Sequence, residues 1–402
     1  AMPDDEPWLQ EPNWANNSIA SDARRDHWAL WLFALCWNGL TLPLFLQATD
    51  ILNEIQRKPI VALVLLFPLV GIGLLAAAVQ ATRRKRRFGA TPLIMDPFPG
   101  SLGGHVGGTI DTNIPFKAGQ QVNVQLSCLH SYISGSGKNR SRSESVKWHS
   151  DGICHTERLG SGTRLRFRFD VPKRLPPSDM ATSGNYNLWR LRVATELDGP
   201  DFDRSYRIPV FPTGVQSKQI ADATESHPAT IDTALAGIES IAQIRPVPGG
   251  MEAWFPALQR PAQGIFTLLF GLTFTAIGLG LGLTGESLFL GGIFTLIGGL
   301  IACYGAWYLG KALLVSVTEQ GVKTRRFLFG YPLRTRQLAA ADLRAIEIRQ
   351  GATMRSGNKT TVYYQLIARG SGGDSLAVAE RLTSRAEAEL LQESYKAYLG
   401  RG

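Results

Sequence analysis

Four stretches of the chain run without Asp, Glu, Lys, Arg or His for roughly 18–22 residues each, the length at which a helix crosses a bilayer. They are Trp28 to Gln47, Pro59 to Gln80, Gly264 to Thr284 and Leu288 to Leu309. A segment with Asp50, Glu54, Arg57 and Lys58 joins the first two, and only Gly285-Glu286-Ser287 separates the second two. The pattern predicts two helical membrane hairpins, over 28–80 and 264–309.

A different period governs 90–214. Short candidate strands recur between Gly, Pro, Asn and Ser: Gly107–Ile114, Gln121–His130, Arg164–Val171, Leu188–Glu196 and Ser205–Val210. In Thr163–Asp170 the alternation places Leu165, Phe167 and Phe169 on one face and Arg164, Arg166 and Arg168 on the other. That is a half-buried strand with a basic outer face, and strands at this spacing without helices between them predict an antiparallel β-sandwich. Residues 215–260 read as a linker, polar over Gln216–Thr230, that ends in a short hairpin, Ile241–Val247 against Met251–Phe255 across Gly249-Gly250. From 312 to 399 the strands Ala312–Thr318, Val322–Phe329, Pro332–Leu338, Ala345–Arg349, Thr361–Arg369 and Ser375–Ala379 precede a closing helix. Ser384 and Glu387 have capping-box spacing there, and Leu391, Tyr395, Tyr398 and Leu399 form its apolar stripe.

Composition narrows the class. The 18 Phe, 10 Tyr and 9 Trp are too many to leave solvated, which excludes a disordered chain, and 4 Cys in 402 residues exclude a disulfide scaffold. The net charge of +9 matters chiefly through its distribution. Arg83, Arg84, Lys85, Arg86 and Arg87 follow the second run and Arg24 and Arg25 precede the first, against Arg57 and Lys58 between them. Arg260 and Lys311 flank the open end of the second hairpin. By the positive-inside rule both termini and the middle region are cytoplasmic, and 1–27 is an N-terminal cytoplasmic segment. The first run starts too far into the chain for a cleaved signal, while the opening Ala-Met reads as a remnant of expression and the chain as a piece of something longer.

Three resemblances add to this. Tyr186–Leu191, Gly199–Asp203 and Tyr206–Val210 resemble strands of arrestin-like sandwiches. Val317–Gly321, Phe329–Leu333 and Ala341–Arg344 resemble bacterial membrane-anchored PH-like domains. Met95–Gly108 and Ser134–Glu144 make most of 28–399 similar to a family of uncharacterised bacterial multi-pass inner-membrane proteins carrying a domain of unknown function. The resemblances imply an arrestin- or Ig-like cytoplasmic sandwich over 90–214, a PH-like sheet closed by one helix over 312–399, and a bacterial inner-membrane location. They bring no activity and no functional residues.

Chemical motifs are sparse. Ser134–Asn139 lacks the Gly and the Ser/Thr of a phosphate loop, with Tyr132 and Asn139 in their places, and reads as a basic hairpin tip. The glycine run Gly100–Gly108 precedes a strand, so it reads as a turn or bulge, with His105 stabilising it by a hydrogen bond. Cys128, His130, Cys154 and His155 carry metal-type atoms, but adjacent Cys154 and His155 would point to opposite faces of a strand. Cys36 and Cys303 read as small packing residues, Asp201 and Asp203 as solvated loop charges. No catalytic, cofactor or metal residue is assigned, and an enzyme is not expected. No membrane run has a charge at its centre, which weakens a transport reading, while Gly278-x-x-x-Gly282 and Gly298-x-x-x-Ala302 suit close helix packing.

The expected function is a membrane-anchored, non-enzymatic scaffold or regulatory sensor whose cytoplasmic β domains bind a protein partner or lipid headgroups. The alternative is a channel or transporter subunit gated by those domains. The expected lipid-facing basic residues are Arg83, Arg84, Lys85, Arg86, Arg87, Lys311, Arg325, Arg326, Arg334 and Arg336. Membrane lipid and a protein are the expected partners, nucleic acid is not, and a homo-oligomer stays open.

Overall fold

The computed structural model describes residues 6–47, 49, 53, 66–135, 140–180, 182–258, 261–283, 288–356 and 359–400. The chain divides into two compact units, one of 1–47, 64–233 and 353–362 and the other of 48–63, 234–352 and 363–402.

The first unit opens with two apolar helices, α1 (Ala23–Leu46) and α2 (Leu66–Phe88). The expected start of the second run, 59–65, lies outside the described residues. α2 does not stop at Gln80 but continues through the basic cluster to Phe88, since Arg and Lys are good helix formers. Gly89, at φ +62°, ends it. Polar side chains join the pair: Trp31 Nε1 donates to Thr82 Oγ1 at 2.9 Å, and Asn38 Nδ2 to Gly71 O at 3.0 Å.

Ten strands follow: β1 (Leu93–Met95), β2 (Gly100–Ser101), β3 (His105–Thr112), β4 (Asn123–Ser134), β5 (Ser141–Ile153), β6 (His155–Leu159), β7 (Gly162–Asp170), β8 (Tyr186–Thr195), β9 (Phe202–Ile208) and β10 (Val210–Phe211). They form antiparallel sheets in the orders β1-β3-β7-β6 and β5-β4-β8-β9, with β10 and β2 paired in parallel. The apolar faces of both four-stranded sheets share one core, a β-sandwich arrangement: Val106, Ile110, Leu165, Phe167 and Phe169 from one, Val124, Leu126, Trp189, Leu191 and Tyr206 from the other. The alternation read in β7 holds, with Leu165, Phe167 and Phe169 at most 1% exposed.

Two segments depart from expectation. Residues before α1 are part of the sandwich: Trp8, Trp14 and Ile19 lie in its core, Trp14 Nε1 donates to Arg207 O at 2.9 Å, and Ile19 bridges Leu93. The polar stretch after 214 is no free linker either, but a strap across the outer face of β7. Asp96 accepts hydrogen bonds from Ser217 Oγ (2.6 Å) and Gln219 N (2.9 Å), and Thr224 Oγ1 accepts from Arg168 N at 2.8 Å. Arg166 donates to Gln219 O and Glu157, and Arg168 to Ile220 O and Ala221 O, so these two arginines bind the strap rather than facing open water.

After α3 (Pro228–Ile241), the second unit begins its sheet at β11 (Gln243–Val247) and β12 (Gly250–Phe255). Then come α4 (Pro261–Leu283) and α5 (Leu288–Gly310), among the described residues the two helices long and apolar enough to cross a membrane. β13 (Lys311–Thr318), β14 (Gly321–Leu328), β15 (Tyr331–Ala339), β16 (Leu343–Ser356), β17 (Lys359–Gly370), β18 (Ser375–Leu382) and α6 (Arg385–Tyr398) complete the chain. The sheet order β11-β12-β13-β14-β15 corrects the expected boundary at 312. The hairpin assigned to the linker pairs directly with β13, Met251 opposite Val317 and Phe255 opposite Leu313. The helical hairpin is thus an insertion between two neighbouring strands. Its helices touch backbone to backbone: a Cβ on Gly291 would lie 2.8 Å from Gly278 O and from Gly282 N, and one on Gly298 would meet Thr275 N and Gly271 O. A second sheet, β16-β17-β18, and α6 close the unit. Ser384 Oγ caps α6 by accepting from Glu387 N at 3.0 Å, while Glu387 reaches back to Thr383 N at 2.7 Å.

Candidate membrane-proximal basic site

Strand pairing fixes where the basic residues of the second unit stand. Lys311 follows the last residue of α5 and lies opposite Leu328. Arg326 faces Arg334, Thr324 faces Arg336, and Arg325 faces Thr335. Because directly opposed residues share a face and alternate residues change face, Arg326, Arg334 and Arg336 project on the side of buried Val315 and Thr324. Arg325 projects on the other side with Lys323. The expected continuous basic surface is divided by the sheet.

At the foot of α5 three cations converge. Lys311 Nζ lies 4.6 Å from the Trp307 ring centre and 5.3 Å from that of Tyr308. The Arg381 guanidinium also lies over the Tyr308 ring, 4.3 Å from its centre, and donates to Tyr308 O at 3.3 Å. Arg326 pairs with Glu380. Lys311, Arg326, Glu380 and Arg381 line a small open cleft with Phe255 and Pro256. Burial, and then the neighbouring Arg381, hold the Lys311 ammonium below its ordinary pKa, with Glu380 opposing. Three positive groups with one carboxylate make a site suited to an anionic oxygen group, and the Trp307 and Tyr308 rings suit the interfacial layer of a bilayer. Glu380 and Arg381 were absent from the sequence reading. They arrive from β18, far along the chain, and Arg381 sits at φ +66°, which no local pattern announces.

The other cluster belongs to the first unit. Arg83, Arg86 and Arg87 are exposed at the end of α2, while the side chains of Arg84 and Lys85 are not described. Arg87 donates to Asp198 O at 2.7 Å and lies over the Phe88 ring. Phe88 packs edge-on against Phe202 at 5.3 Å, and buried Arg204 lies over both rings. The helix end is thereby locked to the sandwich, so Arg87 has a structural task besides its charge.

The remaining motifs fall into structural roles. His105 Nδ1 accepts from Ser217 N at 3.0 Å and its Nε2 is 3.4 Å from Asp170. Gly103 supplies a positive φ of 73° before β3. Residues 136–139 of the hairpin tip lie outside the described residues. Cys128 and Cys154 are buried free thiols, that of Cys128 pushed up to about 12 by burial and that of Cys154 higher still. His130 bonds Asn187 at 2.9 Å, and the His155 ring lies 4.9 Å from that of His227. Asp203 forms an ion pair with Arg192 at 2.8 Å, so it is not the solvated loop charge expected, and Asp201 accepts from Leu197 N at 3.3 Å. Among the described residues no three His, Cys, Asp or Glu side chains converge as a metal-type group.

No family model matches the chain, and no curated protein matches it. Among solved structures it is similar to Spo0M, a sporulation control protein from Bacillus subtilis, at 14% identity over 77% of this chain and 98% of that one, with a TM-score of 0.23. An overlay this loose assigns neither a detailed fold nor a function.

Proposed function

We propose that the protein is a multi-pass bacterial inner-membrane scaffold or regulatory sensor, non-enzymatic, whose cytoplasmic sandwich and PH-like sheet present binding surfaces for a protein partner and for anionic lipid. One observation carries the membrane part: each helix pair leaves from and returns to the same β domain. Residues 6–22 and 93–211 share one core around α1 and α2, and Phe255 pairs with Leu313 around α4 and α5. Segments packed together lie on one side of a bilayer, so each helix pair makes an even number of crossings. The basic residues at the ends of α2 and α5 support a cytoplasmic position for that side.

The cleft of Lys311, Arg326 and Arg381 supports lipid contact at the headgroup layer. Along β15, Arg334 stands about 10 Å and Arg336 about 17 Å beyond Tyr331 at ~3.3 Å per residue. Screening over about 8 Å at physiological salt favours Arg334 over Arg336 as the lipid-sensing arginine.

Cysteine labelling in intact cells tests the topology. Asn53→Cys should react with an impermeant reagent from outside, and Asp222→Cys and Lys323→Cys should not; the reverse pattern refutes the orientation. Steady ion conductance by the purified protein in liposomes would support the channel reading instead.

A further inference from the structure

The geometry points to a second membrane contact that charge does not make: the turn between β14 and β15 is an apolar wedge seated in the bilayer interface beside the foot of α5. This rests on the membrane reading of α4 and α5.

Position comes first. The sheet end nearest the helices holds Phe255, Lys311 and the Leu328–Tyr331 turn, because Lys311 pairs with Leu328 and Leu328 with Tyr331. Phe329 N donates to the carbonyl of Gly310, the last residue of α5, at 2.9 Å. The turn is therefore held at the level where the helix ends. Leu258 N donates to Leu309 O at 3.0 Å and brings another apolar side chain to that level.

Chemistry comes second. Phe329, Tyr331 and Leu333 are 61%, 77% and 62% exposed, three large apolar groups within five residues, with only one edge of the Phe329 ring set against Gly310. Trp307 and Tyr308 on the adjoining helix turn are rings of the type that settles at the headgroup boundary.

Conformation comes third. Phe329 and Gly330 both have positive φ, +50° and +84°, so this two-residue loop has the left-handed backbone of a type I′ hairpin. Such a turn favours Asn or Asp before Gly. A phenylalanine there is strained, and its ring touches Gly310 yet stays 61% exposed. A bilayer interface would bury the exposed remainder of the ring and so offset the strain that the Gly310 contact alone leaves.

The test uses the full chain in vesicles of phosphatidylcholine and phosphatidylglycerol, with Cys36→Ala and Cys303→Ala so that only buried Cys128 and Cys154 remain. A polarity-sensitive fluorophore is placed in turn at Tyr331→Cys, Leu333→Cys, Gln337→Cys and Leu296→Cys, and spin-labelled lipids quench at shallow or deep positions. The labels at 331 and 333 should be quenched at least twofold by the shallow lipid, and still so at about 1 M salt, where the Debye length is ~3 Å. The label at 337, about 20 Å along the strand, should not. The label at 296 should be quenched by the deep lipid. If 296 is quenched while 331 and 333 behave like 337, the wedge is wrong and the membrane reading stands. Quenching at 331 and 333 that disappears at high salt also overturns it, since the contact is then electrostatic. If 296 is not quenched, the membrane reading fails and takes the wedge with it.

Discussion

Acidification should loosen the sandwich through a single buried imidazole. His149 on β5 is 4% exposed, and its Nδ1 lies 2.9 Å from Ser127 Oγ on β4. Burial lowers its pKa from 6.5 to about 4. The unfolded chain therefore takes up a proton near pH 6.5 that the folded chain refuses until about pH 4. The stability present above the unfolded value is lost as pH falls through that window. Between pH 7.5 and 5 the loss is about 2 kcal/mol, or roughly 30-fold in the opening equilibrium. The assay can use the core itself. With Cys36→Ala and Cys303→Ala, buried Cys128 and Cys154 react only when the sandwich opens, and a disulfide reagent active in acid, corrected for the rate of a free thiol, reports that opening. Labelling should rise roughly 30-fold on acidification, and His149→Asn should remove most of the rise. Equal labelling at both pH values, or an unchanged rise in the variant, would refute the reasoning. His227, lowered by burial and by His155, adds a smaller change of the same sign.

In the same assay Phe167→Ala should cost about 3–5 kcal/mol as a fully buried ring, and Arg168→Ala about 1–2 kcal/mol because it frees the strap carbonyls. A cost for Arg168→Ala equal to that of an exposed site would mean that the strap is not held. Gly298→Leu should destabilise the α4–α5 pair by about 1–3 kcal/mol in detergent unfolding by forcing the backbones apart, whereas the same change at Gly292, which faces open space, should not. A soluble fragment beginning at 312 should aggregate, while 243–400 with 257–310 replaced by a short turn should fold as a monomer, read by sedimentation. In that soluble version Phe329→Asn should raise thermal stability by about 1 kcal/mol, since Asn tolerates the left-handed backbone; a loss would show that the ring serves the fold.

What the sequence revealed depended on how local the cause was. The runs of α4 and α5, the alternation of β7 and the Ser384 cap are each written within a few neighbouring residues. β5 was not seen because Ser141–Ser145 is polar on both faces, as an edge strand can be. The strap was missed because its bonds join residues between 52 and 123 positions apart, Arg168 to Ile220 and Asp96 to Gln219 at the two extremes. The partnership of β12 with β13 was hidden by the intervening helices. At the basic site, Lys311 and Arg326 were legible from their closeness to the apolar run. The division of Arg325 from Arg334 needed the register, and Glu380 and Arg381 needed the tertiary fold.

The insertion of α4 and α5 between paired strands sets a timetable for synthesis. β12 emerges complete, yet its partner edge stays empty until both helices and Lys311 have followed. At ~5–20 residues per second the chain between Phe255 and Leu313 takes roughly 3–11 s to make. Through that interval Met251, Ala253 and Phe255, all buried in the finished sheet, wait beside an unpaired ladder. The opposite edge, β11, carries Arg245 and Pro246, which discourage pairing with strangers. The open edge has only Glu252 as a guard, and it closes only once the helices are in place.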